Sequence, residues 1–326
     1  MSTRILTFFL LITFSLCHTR AADQPALYQK VSAAAIEVYI DGRLMGSGWF
    51  TDQAGWAMTA LHVVGNHGKH GKLIQIKNGK QTWAATLHAA DAGHDLALLK
   101  VEGKTPAGLA CTAPFPAVGK EVFLYGAPVF RHRVWFPGRV ARPDVTYEYL
   151  GTEKLAIRCY HVAAHGPKGV SGGPWVNAKG EVIGLQSGTM VVNGAQQGLT
   201  FVTPGESIVR LLKTKRHAAT ISLGTAFEEI AEQPIPWIKK LPANQAGVVL
   251  RALQNDGPLA KAGAKELDLL VSINGETVRT RNQAYTAQQK LDPSKEATIV
   301  LRTTKGETKT LTLKVKVMEQ PYRAES

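Results

Sequence analysis

Three residues, Ser171, His62 and Asp95, lie in segments whose composition suits one chemical task each. Ser171 sits in Gly169-Val170-Ser171-Gly172-Gly173-Pro174, where glycines leave room for a carbonyl group and let backbone N–H groups point at it. A serine hydroxyl is a poor nucleophile near neutral pH and needs a base within hydrogen-bond reach. His62, within Thr59-Ala60-Leu61-His62-Val63-Val64, offers an imidazole, which can take and return a proton in that range. Asp95 opens the apolar run Leu96-Ala97-Leu98-Leu99, where a partly desolvated carboxylate could fix the imidazole tautomer and stabilise its cation. The rival carboxylate is Asp91 in Ala90-Asp91-Ala92-Gly93, whose turn-like setting makes it the weaker candidate. The backbone N–H groups of Gly169 and Ser171 are the candidate oxyanion donors.

Each piece alone has an ordinary structural reading: a tight Gly-rich turn, a core histidine, a strand-start aspartate. Their conjunction, in the chain order His, Asp, Ser, argues for acyl transfer at peptide bonds, and that order is the one of chymotrypsin-like rather than subtilisin-like enzymes.

Positioning three such residues requires a β-rich scaffold, and the chain has one. From Ile36 to about Pro204 it alternates short apolar runs with Gly, Asn, Asp and Pro, as in Ile36–Ile40, Leu73–Lys77, Val122–Tyr125 and Glu181–Leu185. Such spacing predicts an all-β barrel or sandwich. A helical pattern shows only near Gly205 to Lys215, where Ile208, Leu211 and Leu212 share a face. The cationic stretch 214–220 reads as a linker. Beyond it, 221–318 reads as a small α+β unit: strands at Ile221–Gly224 and Gly247–Leu253, a short helix Leu259–Ala264, a strand from Leu269 into an Asn274-Gly275 hairpin turn, a helix Asn282–Leu291, and closing strands Ala297–Thr303 and Thr308–Val317.

The chain has 326 residues, enough for two domains, and its 44% apolar content predicts packed cores. Residues 1–22 read as a secretory signal: Arg4, an apolar run from Ile5 to Cys17, then Thr19-Arg20-Ala21 as a small-x-small site. Cleavage leaves 23–213 as the first domain and 319–326 as a tail. No later stretch approaches the roughly 18 apolar residues of a membrane span. Export permits a disulfide between Cys111 and Cys159 without requiring one. The charge of +13 suits a basic surface toward anionic polymers or acidic substrates, yet no nucleic-acid motif accompanies it. His67 and His70, flanked by Gly and Lys, read as a solvated loop, so no metal is expected.

On these residues the chain resembles the HtrA (high-temperature requirement, DegP-like) family of trypsin-like serine proteases with one C-terminal PDZ domain. Gly46-Ser47-Gly48-Trp49-Phe50 resembles the family's strand before the histidine; Thr59–Val64, Asp95–Val101 and Gly169–Pro174 match its catalytic segments. Gly138-Arg139-Val140 and Leu199–Pro204 resemble later strands, and Gly257–Gly263 with Asp268–Gly275 resemble PDZ hallmarks. The resemblance implies a mainly β, chymotrypsin-like double barrel followed by a PDZ unit, a cofactor-free serine endopeptidase of the periplasm or cell exterior, and unfolded or misfolded polypeptides as substrates. It implies substrate binding at His165, Gln186, Ser187 and Gly188, with no acid at position 165 to select Arg or Lys. Peptide C-termini would bind at Leu223, Gly224 and Thr225, against the helix Asn282–Leu291. A homotrimer would form near the start of the protease domain, where Leu27, Tyr28 and Tyr39 are large side chains. The departures are Val170, where the family carries Asn, and Arg131-His132-Arg133-Val134-Trp135, which replaces a Gly-rich stretch. They leave open a silent protease fold acting as a peptide-binding, chaperone-like protein.

Overall fold

Alternating apolar residues build strands that curl into two barrels. The computed structural model describes residues 23–65, 73–142, 144–151, 154–243 and 245–318; the signal-like segment, His67, His70 and the 319–326 tail lie outside them. The first barrel comprises β1 (Ala35–Ile40), β2 (Arg43–Phe50), β3 (Trp56–Ala60), β4 (Ile74–Asn78), β5 (Gln81–Asp91) and β6 (Leu96–Val101). It closes in the order β1-β2-β3-β6-β5-β4, with β1 pairing back onto β4. Trp49, Phe50, Met58 and Ile76 fill its interior without solvent exposure. The run Leu96–Leu99 is buried on both faces, which explains its unbroken apolar character.

The second barrel comprises β7 (Glu121–Gly126), β8 (Val134–Val140), β9 (Thr146–Leu150), β10 (Leu155–Ala163), β11 (Pro174–Val176), β12 (Val182–Val192) and β13 (Ala195–Pro204). Six of these strands close the ring β13-β12-β11-β7-β8-β10 through a β10–β13 pairing, and β9 hangs from β10 as an additional edge. Leu124, Tyr160, Trp175 and Val202 pack its core. This is the chymotrypsin-like double barrel expected from the sequence.

Two helices in the first domain were not legible as helices. The helix α1 (Gln24–Ala34) buries Leu27, Val31 and Ala34, and Asp23 caps it by accepting the Ala26 N–H at 3.2 Å. The one-turn helix α2 (Leu61–Val64) carries His62, where a strand end was expected. Leu27 is buried, Tyr28 donates its hydroxyl to the Arg133 carbonyl at 3.1 Å, and Tyr39 donates to Glu37 at 2.9 Å, so all three side chains have partners within the chain. The helix α3 (Gly205–Thr214) buries Ile208 and Leu211 as the pattern predicted.

The segment after α3 is bonded along its length rather than hanging free. The Ala218 N–H donates to Ala90 O at 2.9 Å, and Thr220 Oγ1 accepts the Gly93 N–H at 2.9 Å. The C-terminal unit holds β14 (Ile221–Ser222), β15 (Ala226–Glu229), α4 (Ile235–Ile238), β16 (Val248–Arg251), α5 (Pro258–Lys261), β17 (Leu269–Ile273), β18 (Glu276–Thr277), α6 (Arg281–Gln289), β19 (Glu296–Arg302), β20 (Thr308–Lys314) and β21 (Lys316–Val317). Its sheet runs β15-β16-β17-β19-β20, so β15 is an edge, and β14 pairs with β21. Asn274 and Gly275 both have positive φ, as a two-residue hairpin turn between β17 and β18 requires. The helix α6 begins at a capping box formed by Thr280 and Gln283.

Candidate active site

His62 and Asp95 meet because β3 and β6 are neighbours. Ala60 pairs with Leu96 in an antiparallel ladder, so the residues that follow β3, His62 among them, lie beside Asp95, which precedes β6. Asp95 is wholly buried and lies in the left-handed region at φ 53°, a conformation Asp tolerates better than most residues. Its Oδ1 accepts the His62 backbone N–H at 2.9 Å, and its Oδ2 lies 2.8 Å from His62 Nδ1. A carboxylate accepts only, so the proton of the neutral ring sits on Nδ1 and Nε2 keeps its lone pair. Asp91 is engaged elsewhere: its carboxylate meets His94 Nδ1 at 2.9 Å and Arg210 Nη2 at 2.9 Å. Burial opposes its ionisation, but His94 and Arg210 outweigh burial and hold its carboxyl below the usual range.

The loop bearing Ser171 is clamped against the first barrel by one buried residue, Ser47. The Ser47 N–H donates to Ser171 O at 2.8 Å, and its Oγ donates to Gly169 O at 3.0 Å. That same Oγ accepts the Ala127 N–H at 3.0 Å, and Ser47 O accepts the Thr59 hydroxyl at 2.7 Å. Gly172, at φ +82°, lies so close to Ser47 O, Thr59 and the Ala60 N that no Cβ fits, which seats the Ser171 loop on the strand leading into His62.

Gly169, at φ +96°, does the other half of this work. A Cβ there would lie 2.6 Å from Ala127 O. The Lys168 carbonyl accepts the Val129 N–H at 2.9 Å, and in a trans peptide the Gly169 N–H then points the opposite way. Among the described residues neither the Gly169 N–H nor the Ser171 N–H has an acceptor, whereas the Gly172 and Gly173 N–H groups are bonded to Gln186 O and Val170 O. Two unpartnered donors on the Ser171 loop form an arrangement able to bind a developing oxyanion.

The domain family described as trypsin-like peptidase domain matches residues 46–185. Serine protease HTRA1 of Xenopus laevis is 27% identical over 263 residues, covering 75% of this chain and 55% of that protein. A probable periplasmic serine endoprotease, DegP-like, of Ectopseudomonas mendocina is 28% identical over 246 residues, 73% of this chain and 49% of its own. Residues 46–185 thus match a trypsin-like peptidase domain, and the chain is similar to HtrA-type serine proteases. It spans about half the length of these curated relatives. Solved structures agree in fold: the HtrA-type protease AlgW with tripeptide superposes at TM-score 0.62 with 20% identity over 92% of this chain and 99% of that one. The serine endoprotease from Yersinia pestis does so at 0.58 with 18% identity over 90% and 98%.

The segment 131–135, which departs from the HtrA pattern, has a structural role. Trp135 stacks on Phe123 at 5.1 Å and meets Tyr28 edge-on at 5.9 Å. His132 Nδ1 lies 2.7 Å from Glu37 Oε1. These anchors hold a loop in which Val129, Phe130 and Arg133 all have positive φ, a strained state for a β-branched valine. No motif or spacing accounts for that loop; its signal is tertiary, since Val129 acts through its backbone N–H, which donates to Lys168 O.

Beside His62 lies a cavity of about 550 Å³ lined by Ser187, Gly188, Leu150, Glu148, Lys168 and Phe201. Two expected lining residues are displaced. His165 is exposed and does not line this cavity. Gln186 is buried, its amide consumed by Trp175 Nε1 at 2.8 Å and Gly188 O at 2.6 Å. A buried amide must satisfy its own polar atoms, so Gln186 braces the wall from behind. Cys111 and Cys159 are both free thiols. Burial pushes the Cys111 thiol up to about 12 and Cys159 well above its usual value, which marks them as core groups rather than nucleophiles.

Leu223, Gly224 and Thr225 form the loop ahead of edge strand β15, facing α6. Here the donors are already occupied: Leu223 N–H donates to Gln288 Oε1 at 3.2 Å and Gly224 N–H to Ser222 Oγ at 3.0 Å. Phe227 N–H, on the edge of β15, donates to Tyr285 OH at 3.1 Å. Thr225 is buried, its hydroxyl bonded to Arg251 O at 2.8 Å.

Proposed function

We propose that this chain is an exported serine endopeptidase acting on unfolded or misfolded polypeptide segments, with Ser171 as nucleophile, His62 as general acid–base and Asp95 as its orienter. The observation that carries the reading is the 2.8 Å His62–Asp95 contact, buried on the Asp side, together with the two unpartnered N–H groups at Gly169 and Ser171. With Nδ1–H held by Asp95, Nε2 accepts the Ser171 hydroxyl proton as Oγ attacks the scissile carbonyl. The carbonyl oxygen gains charge between the two N–H donors, and His62 returns the proton to the leaving amine. Water then repeats the sequence on the acyl-enzyme, with His62 again taking and returning a proton. No cofactor enters this cycle.

The signal-like residues 1–22 and the periplasmic naming of a relative support export. An unfolded chain suits the open cleft because an extended segment can lie along strand edges, whereas a folded substrate cannot. The C-terminal unit is proposed as a PDZ-type module whose loop Leu223–Thr225 takes a peptide carboxylate. Gln288 holds one of those donors, so a peptide binds only by displacing its amide. A homotrimer is proposed on the family resemblance and is read out by light scattering as three times the protomer mass. The activity test is digestion of a permanently unfolded, reduced protein. The purified chain should degrade it, spare its native form, and lose this activity on Ser171→Ala. Equal digestion by Ser171→Ala would contradict the assignment.

A further inference from the structure

The wall of the cleft cavity contains one acid among its lining residues, Glu148 on β9. Its side chain is only 16% exposed, so its charge requires partners. One is His161 Nε2 at 3.0 Å, from β10 of the same barrel. The other comes from outside the protease unit: Arg281 Nη2, at the start of α6, lies 3.7 Å from Glu148 Oε1. Arg281 is held in place by its own unit, its N–H donating to Glu229 Oε1 at 2.7 Å and its Nη1 to Glu232 Oε1 at 3.2 Å. Two neighbouring contacts fix the docking: Asn282 with Thr146 at 3.2 Å, and Tyr285 with Tyr147 at 5.2 Å between ring centroids.

We propose that Glu148 is a specificity-determining residue of the cleft and that Arg281 of the C-terminal unit sets its effective charge. The inference rests on the peptidase reading above. With Arg281 docked, the acid is compensated and the cavity offers Leu150, Gly188 and Phe201 to an apolar substrate side chain. A lysine or arginine side chain entering it must compete with Arg281 for one carboxylate. Without Arg281, the carboxylate keeps only His161 as an ion-pair partner, and a substrate cation can pair with it, Lys168 of the cavity lining being the competing cation of this chain. Discrimination against cationic side chains is therefore supplied in part by a residue of the other unit, as repulsion and competition rather than as shape.

The test compares peptides with lysine or leucine at successive positions before the scissile bond, one position at a time, in the full chain, and takes the ratio at the position where Glu148→Gln changes it most. Arg281→Gln should raise the lysine-to-leucine ratio of kcat/KM about tenfold. Arg281→Lys, which keeps the charge, should stay near wild type, and Glu148→Gln should lower the ratio. The Arg281→Gln gain should vanish in the Glu148→Gln background. Fluorophosphonate labelling of Ser171 at an unchanged rate shows that the catalytic centre is intact in each variant. Labelling intact with a ratio within twofold of wild type in Arg281→Gln would overturn the proposal alone. No labelling of Ser171 in any protein, wild type included, would contradict the peptidase reading and this proposal with it.

Discussion

At the residue scale, catalysis in this account depends on side chains for proton transfer and on backbone for charge stabilisation. Asp95→Asn should leave the fold intact, because the amide can replace both contacts sterically. It should nevertheless lower kcat by about 10⁴, since an amide that donates to Nδ1 selects the wrong imidazole tautomer. Gly169→Ala removes no functional group, yet a Cβ would lie 2.6 Å from Ala127 O and at a disfavoured φ. It should cost about 3 kcal/mol of transition-state stabilisation, read as a fall of 10² to 10³ in kcat with KM little changed. A proportional rise in KM instead would point to substrate binding. The side-chain half of this site was legible in the sequence because His, Asp and Ser each carry a recognisable chemistry with local context. Ser47 was legible only as part of a Gly-Ser-Gly strand. Its clamp on Gly169 and Ser171 uses backbone and tertiary contacts that no spacing encodes. His165 and Gln186 do not line the cavity beside His62, because sequence offset from Ser171 does not tell which way a side chain turns.

At the scale of elements, strands were read more reliably than the segments that join them. The runs at β1, β4 and β19 follow a period of two that burial on one face imposes, β7 is an apolar run buried on both faces, and the Asn274-Gly275 turn declares itself chemically. The helix α1 was missed although Leu27, Val31 and Ala34 lie on one helical face, because the neighbouring signal-like residues and a polar intervening sequence obscure the pattern. The linker expected at 214–220 is bonded to the end of β5, a fact set by packing and invisible in its polar composition. The edge of β15 carries the strongest prediction at this scale. Gln288 and Tyr285 of α6 occupy the donors of Leu223 and Phe227 that an added peptide strand would use. Gln288→Ala should therefore bind a peptide with a free C-terminal carboxylate several-fold more tightly than the wild type does, measured by fluorescence polarisation. The amidated peptide should gain nothing. Equal gain for the amide would show that the carboxylate is not what the loop receives.

For the whole molecule, stability should be asymmetric in pH. Burial raises the thiols of Cys111 and Cys159, raises Tyr160 and Tyr285, and pushes Tyr39 up to about 12, where its Glu37 partner adds to the effect. A group whose folded pKa lies above its unfolded value stabilises fully below the unfolded value and loses that contribution as pH rises. The unfolded values are about 8.5 for a thiol and 10 for a phenol, so the melting temperature should fall progressively above about pH 9. On the acid side Asp91, held low by His94 and Arg210, stabilises above its unfolded value of about 3.9 and loses this as pH falls further. Melting curves between pH 3 and 11 check both limbs, and a flat alkaline limb would contradict the burial of these groups. In the same conditions Cys159, which has no solvent exposure, should react with a thiol reagent only after unfolding. The central claim, that three residues from separate strands and loops form one reactive centre, is tested most directly by mass spectrometry after exposure to a fluorophosphonate. The account predicts a single adduct on Ser171 in the wild type, none in Ser171→Ala, and a severe loss of labelling rate in His62→Ala. An adduct on another serine, or labelling of Ser171 at an undiminished rate without His62, would contradict it.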